Sequence, residues 1–418
     1  VPSRPGGTKM ANGAIGQNAT SSGKGSEKAA GGEREYIRFE VVDFHCKALS
    51  KVVPARHRET KVYMYSGALA YGAKQEVMVL PDEIAAAGCP NAKLVPDWST
   101  EQVLPWACRP SKGITVKRVY CEMEGMKLGP RSLCGRMLAE LKNFEGKGYE
   151  LLAGGELEFV MAKRKAISED AWEPMFNGPE IFTTLQSCKA IDFCYDLEKN
   201  MDAVGVDVLT MNTEYGQGQL EITFAPKFGI EAGDMTATFR TGTKEMAQDA
   251  GLRATFMAKP FGVSGVGNGG HMNFSIWMPG GVRSDAKDIV SRTTSGKLNA
   301  FHSSEDSKGL SADARSFLAG VLAHAPALEA LCSPTPPCYC RHGNWAPTVA
   351  NWGFDDRSAC VRVKADRRGR SKRKRASIMT IVVFFVLAGL VASGLDGLQQ
   401  GMELPPERQT KERSLFGV

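Results

Sequence analysis

Apolar positions recur with two different periods along this chain. Strict alternation predicts strands at 36–42, 62–65, 76–80 and 116–122, with Pro105 and Gly113 punctuating shorter ones between. From Pro130 the period lengthens: Leu133, Met137, Leu138 and Leu141 fall on one helical face, and Gly146 and Gly148 close the helix. Further helices are expected near 189–203, over 232–257 and over 312–331, with strands at 206–211, 219–224 and 271–278. The fold class is therefore α+β. Residues 1–34 carry almost no large apolar side chains and are expected to form a disordered Gly/Ser-rich tail. A small β-rich domain over 35–125 and a larger domain over 126–406 follow, with 364–384 a divergent basic and apolar segment and 407–418 a C-terminal tail.

One strand breaks the apolar pattern. Gly-Gly-Glu-Leu-Glu-Phe-Val at 154–160 places Glu156 and Glu158 two residues apart, on one face of a strand. Adjacent carboxylates in apolar surroundings repel and favour a cation between them; the plainer alternative is a half-exposed strand with two acids on its outer face. Downstream, Glu214 and Glu221 bracket a glycine-rich turn, and His271 follows another at 265–270 that is preceded by Lys259 and Pro260. Four carboxylates and one imidazole suit Mg²⁺ or Mn²⁺ better than a thiolate-bound zinc. Two ions on shared carboxylates can clamp a phosphate and an acceptor, with arginines such as Arg341, Arg357 and Arg362 neutralising a phosphoryl group in transit.

Composition changes this picture little. At 418 residues, with 43% hydrophobic and 23% charged positions, the chain has the make-up of a globular protein. Its net charge of +6 is concentrated in eight basic residues at 364–375, so a general nucleic-acid surface is not expected. Eleven scattered cysteines and no signal-peptide pattern point to free thiols in a reducing, cytoplasmic setting. Cys338 and Cys340, with Cys332 nearby, lack a second pair at zinc spacing. Residues 378–395 run for 18 positions without a charge behind the basic cluster, which reads either as a buried core helix, the preferred reading, or as a membrane anchor.

The order of these motifs resembles the glutamine synthetase family. Gly-Glu-Leu-Glu-Phe at 155–159, Glu214 with Gly-Gln-Leu-Glu at 218–221, Lys259-Pro260 leading to His271, and Pro334, Thr335, Tyr339, Arg341, Ala346, Pro347, Asp356 and Arg357 carry the match, from about residue 36 to 406. Ser-Gly-Leu-Asp-Gly at 393–397 is similar to the family's near-terminal core helix. Ile-Arg-Phe-Glu at 37–40, Val-Leu-Pro-Trp at 103–106 and Phe-Gly-Ile at 228–230 resemble its lengsin branch. The resemblance implies a β-grasp N-terminal domain, a catalytic-type α/β domain with a curved antiparallel sheet, and hexameric rings stacked into a dodecamer. It implies that Glu158, Glu214 and Glu221 hold one metal, that Glu156 and His271 hold the other, and that Arg357, Arg362 and Ser275 contact ATP. Arg341 and Arg357 would hold glutamate and the phosphoryl group, and Asp43 of a neighbouring subunit would bind and deprotonate ammonia.

The departures bear on activity. Counting without gaps from Arg362 puts Arg373 where the family has a metal-ligating Glu, with Arg375 keeping the next basic position. A guanidinium about 4 Å from an ion repels it by roughly 4 kcal/mol per unit-charge pair at an effective dielectric near 20. Val382, Val383 and Phe384 replace an Asn-Pro-Tyr turn, Val266 an Asn, Gln217 a Pro, and Trp345 an acid, while Pro336-Pro337 replaces a polar pair. The favoured expectation is a catalytically impaired, lengsin-like ring protein with intermediate filament partners. The alternatives are an active glutamate–ammonia or γ-glutamyl–amine ligase and a membrane-anchored scaffold.

Overall fold

The strand that carries Glu156 and Glu158 is the spine of the molecule. Glu150–Arg164 runs for 15 residues, its odd-numbered apolar positions facing the helices and its acids facing away. The computed structural model describes residues 32–71, 82–165, 171–178, 181–280, 296–343, 346–364, 375–379 and 383–408. Gly270–Pro279 lies antiparallel on one side of the spine and Gln219–Phe224 on the other, with Val208–Thr213 beyond. Past Gly270–Pro279 come Arg375–Met379, Val361–Lys364 and then, in parallel, Trp352–Phe354, in a curled sheet of 11 strands.

Helices cover the apolar face. Phe159, Phe224 and Phe256 pack around Phe239 of the helix Ile230–Asp249, with ring centroids 5.0–6.2 Å apart. Gly155 permits this layer: a Cβ there would sit 2.6 Å from the Phe224 ring. The near-terminal helix Val383–Gln400 crosses Ala312–Ala323 at backbone contact, since a Cβ at Gly397 would lie 2.1 Å from the Ser316 carbonyl oxygen. Phe384, Val386, Leu387, Leu390 and Val391 are buried in that layer. The described part of the uncharged run from Phe384 to Leu395 therefore belongs to the core, and among the described residues no helix is long and apolar enough to cross a membrane.

A second, six-stranded sheet is built on Arg34–Val42, which pairs in parallel with Ile114–Met123 and antiparallel with Ala48–Pro54. Polar contacts dock it on Ile230–Asp249. Arg38 and Trp106 Nε1 both bond Glu245, at 2.7 and 2.8 Å, Arg118 donates to Thr238 at 2.9 Å, and Arg131 bridges Asp234 and Asp97 at 2.8 and 2.9 Å.

The structure differs from the sequence pattern in three places. The expected helix over 232–257 ends at Asp249, because Gly251 adopts φ +72° and turns the chain into the strand Arg253–Thr255. The expected helix over 312–331 is two, Ala312–Ala323 and Ala325–Cys332, since Pro326 supplies no N–H to continue the first. Ala48–Pro54 forms a strand where none was expected. The strand expected at 76–80 and the tail at 1–31 lie outside the described residues. At the other end, Arg408 still bonds through its N–H to the Trp352 carbonyl, so the chain stays tied two residues into the expected tail.

Glu40 is buried between this sheet and the helix, 4% exposed, and burial pushes its carboxyl up to about 7 despite the opposing charge of Arg118. The folded state therefore prefers Glu40 protonated, while the unfolded chain ionises it near its ordinary value. Stability should fall as pH rises from about 4.5 to about 7, by at most about 3 kcal/mol from this group. Glu40→Gln should melt like the wild type at pH 4.5 and higher than it at pH 8; parallel pH profiles would contradict the assignment.

Candidate metal-binding site

Strand register, rather than any single motif, brings the acids together. Glu156 and Glu158 leave the spine on the same side. Glu221 pairs directly with Glu158, and His271 with Glu156, so all four side chains share one face of the sheet. A carboxylate oxygen of Glu156, one of Glu221 and a ring nitrogen of His271 lie within 4.8 Å of one another. His271 Nδ1 is 3.4 Å from Glu156 Oε1, too poorly aligned for a hydrogen bond, and among the described residues this buried nitrogen has no hydrogen-bond partner.

The other two acids are held by hydrogen bonds. Glu158 Oε2 accepts from Gln219 Nε2 at 2.8 Å and from the Gly269 N–H at 2.6 Å. Glu214 accepts from the Tyr215 N–H at 3.2 Å and shares the Asn212 amide with Glu221, at 3.4 and 3.5 Å. The structure thus converges Glu156, Glu221 and His271 into one centre, with Glu158 and Glu214 at its side. The resemblance had divided the same residues differently, between two ions.

Electrostatics separates the acids further. Burial, reinforced by the charges of Glu156, Glu158 and Glu214, pushes Glu221 up to about 8. Burial and the charge of Glu158 raise Glu214 in the same direction. Burial also works against ionised Glu156, but contact with His271, the charges of His271 and Lys364 and the Asn273 amide outweigh it and hold Glu156 at about 2. Oxygen donors that raise one another's proton affinity, beside an imidazole nitrogen lacking a partner, fit a hard divalent cation such as Mg²⁺ or Mn²⁺.

The predicted arginines rim this face. Arg341 is buried, and its Nη1 donates to the Asn268 carbonyl at 2.7 Å; burial lowers its pKa while Glu158 opposes the shift. Arg362 pairs with Ser377, which pairs with Asn273, placing Arg362 on the His271 side. Its pKa is lowered by burial and by neighbouring Arg357, with Glu156 acting against both. Arg357 itself is exposed. Ser275 is fully buried two residues beyond Asn273, and its hydroxyl accepts from Trp277 Nε1 at 2.8 Å. Asp43 is not brought to the centre. It closes the turn after Arg34–Val42, accepting from the His45 and Lys47 N–H groups at 2.9 and 2.7 Å, away from the acids. Arg373 and Trp345 lie outside the described residues.

Four residues that the sequence pattern did not single out complete the site. Gln219, 1% exposed, donates to Glu158, to Asn268 Oδ1 at 3.1 Å and to the Gly267 carbonyl at 3.2 Å, and accepts from the Gly216 N–H at 2.7 Å. Asn268 in turn donates to the Thr255 and Met257 carbonyls, at 3.1 and 2.8 Å, so both glycine turns hang on two amides. Asn273 Nδ2 reaches Glu156 Oε2 at 3.4 Å, and Lys364 Nζ donates to Asn273 Oδ1 at 2.7 Å. The available signal was an amide placed where a strand or turn otherwise buries only apolar groups.

A curled antiparallel sheet with carboxylates and one histidine converging on a single face is the architecture of glutamine-synthetase-like proteins. Residues 127–413 match the family described as "Glutamine synthetase, catalytic domain", and the chain belongs to the glutamine synthetase family. Lengsin of Rattus norvegicus is 30% identical over 397 residues, 87% of this chain and 62% of that protein, so the chain spans about three-fifths of the length of this relative. Glutamine synthetase of Methanocaldococcus jannaschii is 33% identical over 333 residues, 77% of this chain and 67% of that protein. Among solved structures, the GmaS/ADP complex superposes with a TM-score of 0.69 at 24% identity, covering 91% of this chain and 81% of that one, a likeness of fold.

Because Glu221 without a cation carries its proton up to about pH 8, a divalent ion must displace that proton to bind. Mn²⁺ affinity measured by calorimetry should rise between pH 6 and pH 8, by up to about tenfold per unit, with net proton release at pH 7. Affinity independent of pH over this range would contradict the arrangement.

Proposed function

We propose that the chain keeps the cation-binding face of a glutamine synthetase but has lost the part of it that supports phosphoryl transfer. The observation that carries this reading is the strand opposite His271. Arg375–Met379 pairs Met379 with His271 and Ser377 with Asn273, and none of its five residues is acidic. The gap-free count that puts Arg at position 373, outside the described residues, supports the reading that the last carboxylate is missing. With Lys364 and Arg362 on the same side, the Glu156 half of the site is rich in positive charge before any ion or nucleotide arrives.

If a cation binds, Glu156, Glu221 and His271 would hold it, and it would supply charge neutralisation for bound phosphate oxygens. Arg357 and Arg362 would face those phosphates, Arg341 an acceptor carboxylate, and the buried amides would fix Glu158 and the glycine turns around the acceptor. The missing carboxylate leaves this set able to bind and orient anionic ligands but poor at phosphorylating them. Family membership supports a ring-forming assembly role, and eleven free cysteines support a reducing, cytoplasmic setting. The resemblance extends that role to dodecamers and intermediate filament partners, for which no described residue argues.

The second reading, an active ATP-dependent ligase making glutamine or another γ-glutamyl amide, is favoured by one observation: the convergence of Glu156, Glu221 and His271 within 4.8 Å. Phosphate release from ATP with glutamate, Mg²⁺ or Mn²⁺, and ammonia or hydroxylamine separates the two. We expect no release above that of Glu158→Ala. Turnover that Glu158→Ala abolishes would overturn the impaired reading.

A further inference from the structure

The spine ends at Arg164, about 20 Å along the strand from Glu158. Positive charge collects at this end. Arg164 pairs in register with Trp172, and Arg253 pairs with Ala162 on the other side of the spine. Both guanidiniums turn onto one half-buried ring: Arg253 Cζ lies 4.1 Å from the centroid of Trp172, and Arg164 Cζ lies 5.7 Å from it. With Lys244 and Gln248 of the helix Ile230–Asp249 they line a cleft of about 460 Å³, and no described residue of that lining is acidic. The acids on the adjoining elements are paired with other cations. Glu173 meets Lys163 at 3.5 Å, Asp249 meets Arg109 at 3.1 Å, and Glu245 accepts from Arg38 and Trp106. Among the described residues, Arg164, Lys244 and Arg253 form no ion pair and donate no hydrogen bond.

Two cations on one ring repel each other unless an anion joins them. Stacking on the indole fixes the planes of the guanidiniums without using their N–H groups, so five donors on each stay directed at an incoming acceptor. An oxyanion with several oxygens matches such paired forks, and phosphate is the group that arginines take in this way. The volume of the cleft suits a small molecule. Outside 364–375 the charges of the chain nearly cancel, so no basic track leads from the cleft as a polynucleotide would need. We propose that this cleft is a second anion site, separate from the acidic face, in which Arg164, Arg253 and Lys244 bind the phosphate groups of a small soluble phosphorylated compound. Trp172 holds the two forks in place. The site needs no divalent cation and does not rest on the cation-binding reading above.

Calorimetric titration of the full chain with inorganic pyrophosphate in the presence of EDTA tests this, since chelation removes metal-dependent binding at the acidic face. Wild type should bind one pyrophosphate per chain. Arg164→Gln and Arg253→Gln should each weaken binding roughly tenfold. Both side chains are exposed, and circular dichroism should show the wild-type fold in each variant. If one variant fails to fold, the other and Lys244→Gln, expected to change affinity in the same direction, carry the test. No binding by wild type, or equal binding by wild type and the arginine variants, would overturn the proposal. A loss in Arg362→Gln with none in Arg164→Gln or Arg253→Gln would also overturn it, by placing the anion on the acidic face. Tighter binding of a single-stranded oligonucleotide, or retention on vesicles carrying a phosphorylated inositol lipid, through the same two arginines would overturn the assignment to a small soluble ligand.

Discussion

Like charges crowded on one face of a sheet must be compensated, and the rest of this structure is arranged around that requirement. Glu156, Glu158 and Glu221 are locked together by strand register and cannot move apart without breaking the ladder. What remains free is how each charge is answered. Glu158 is answered by hydrogen bonds from Gln219 and the Gly269 N–H, Glu156 by His271, Lys364 and Asn273, and Glu221 by retaining a proton. A cation among Glu156, Glu221 and His271 would take the place of that last proton.

Burial on the other side of the same strand makes this arrangement rigid. Leu157 and Phe159 alternate with the acids and are packed beneath the helix Ile230–Asp249. The same helix receives the first sheet through Asp234, Thr238 and Glu245. A shift of one residue in the spine would bury both glutamates and expose both apolar residues. The position of the acids is thus fixed by the core, and their chemistry by the amides and cations laid over them.

Much of this was legible in the sequence because it depends on local period. The alternation at 154–160 gave the face shared by Glu156 and Glu158, and the strand expected at 219–224 is the one observed. The acids of the site and His271 were all named from their settings beside glycine turns. Less legible were features set by partners distant in sequence. Whether Glu158 or Glu221 completes the centre depends on Gln219 and Asn268, which are separated from Glu158 by 61 and 110 positions and carry no pattern of their own. Lys364 looked like the start of a solvated basic run, and only the strand order brings it to Asn273. Asp43 shows the opposite limit: its place in a neighbour's site came from resemblance, whereas one chain shows it only as the acceptor of its own turn. The helix at 383–400 was ambiguous by hydropathy alone; the Gly320 and Gly397 contacts, which pattern does not reveal, make it a core element.

The account stands or falls on where a cation sits. Anomalous-difference density at the manganese edge, from crystals of the full chain soaked in Mn²⁺ near pH 8, addresses this directly. The account predicts one peak per chain, among Glu156, Glu221 and His271. Two peaks divided between Glu158 and Glu156, or none on this face, would contradict it.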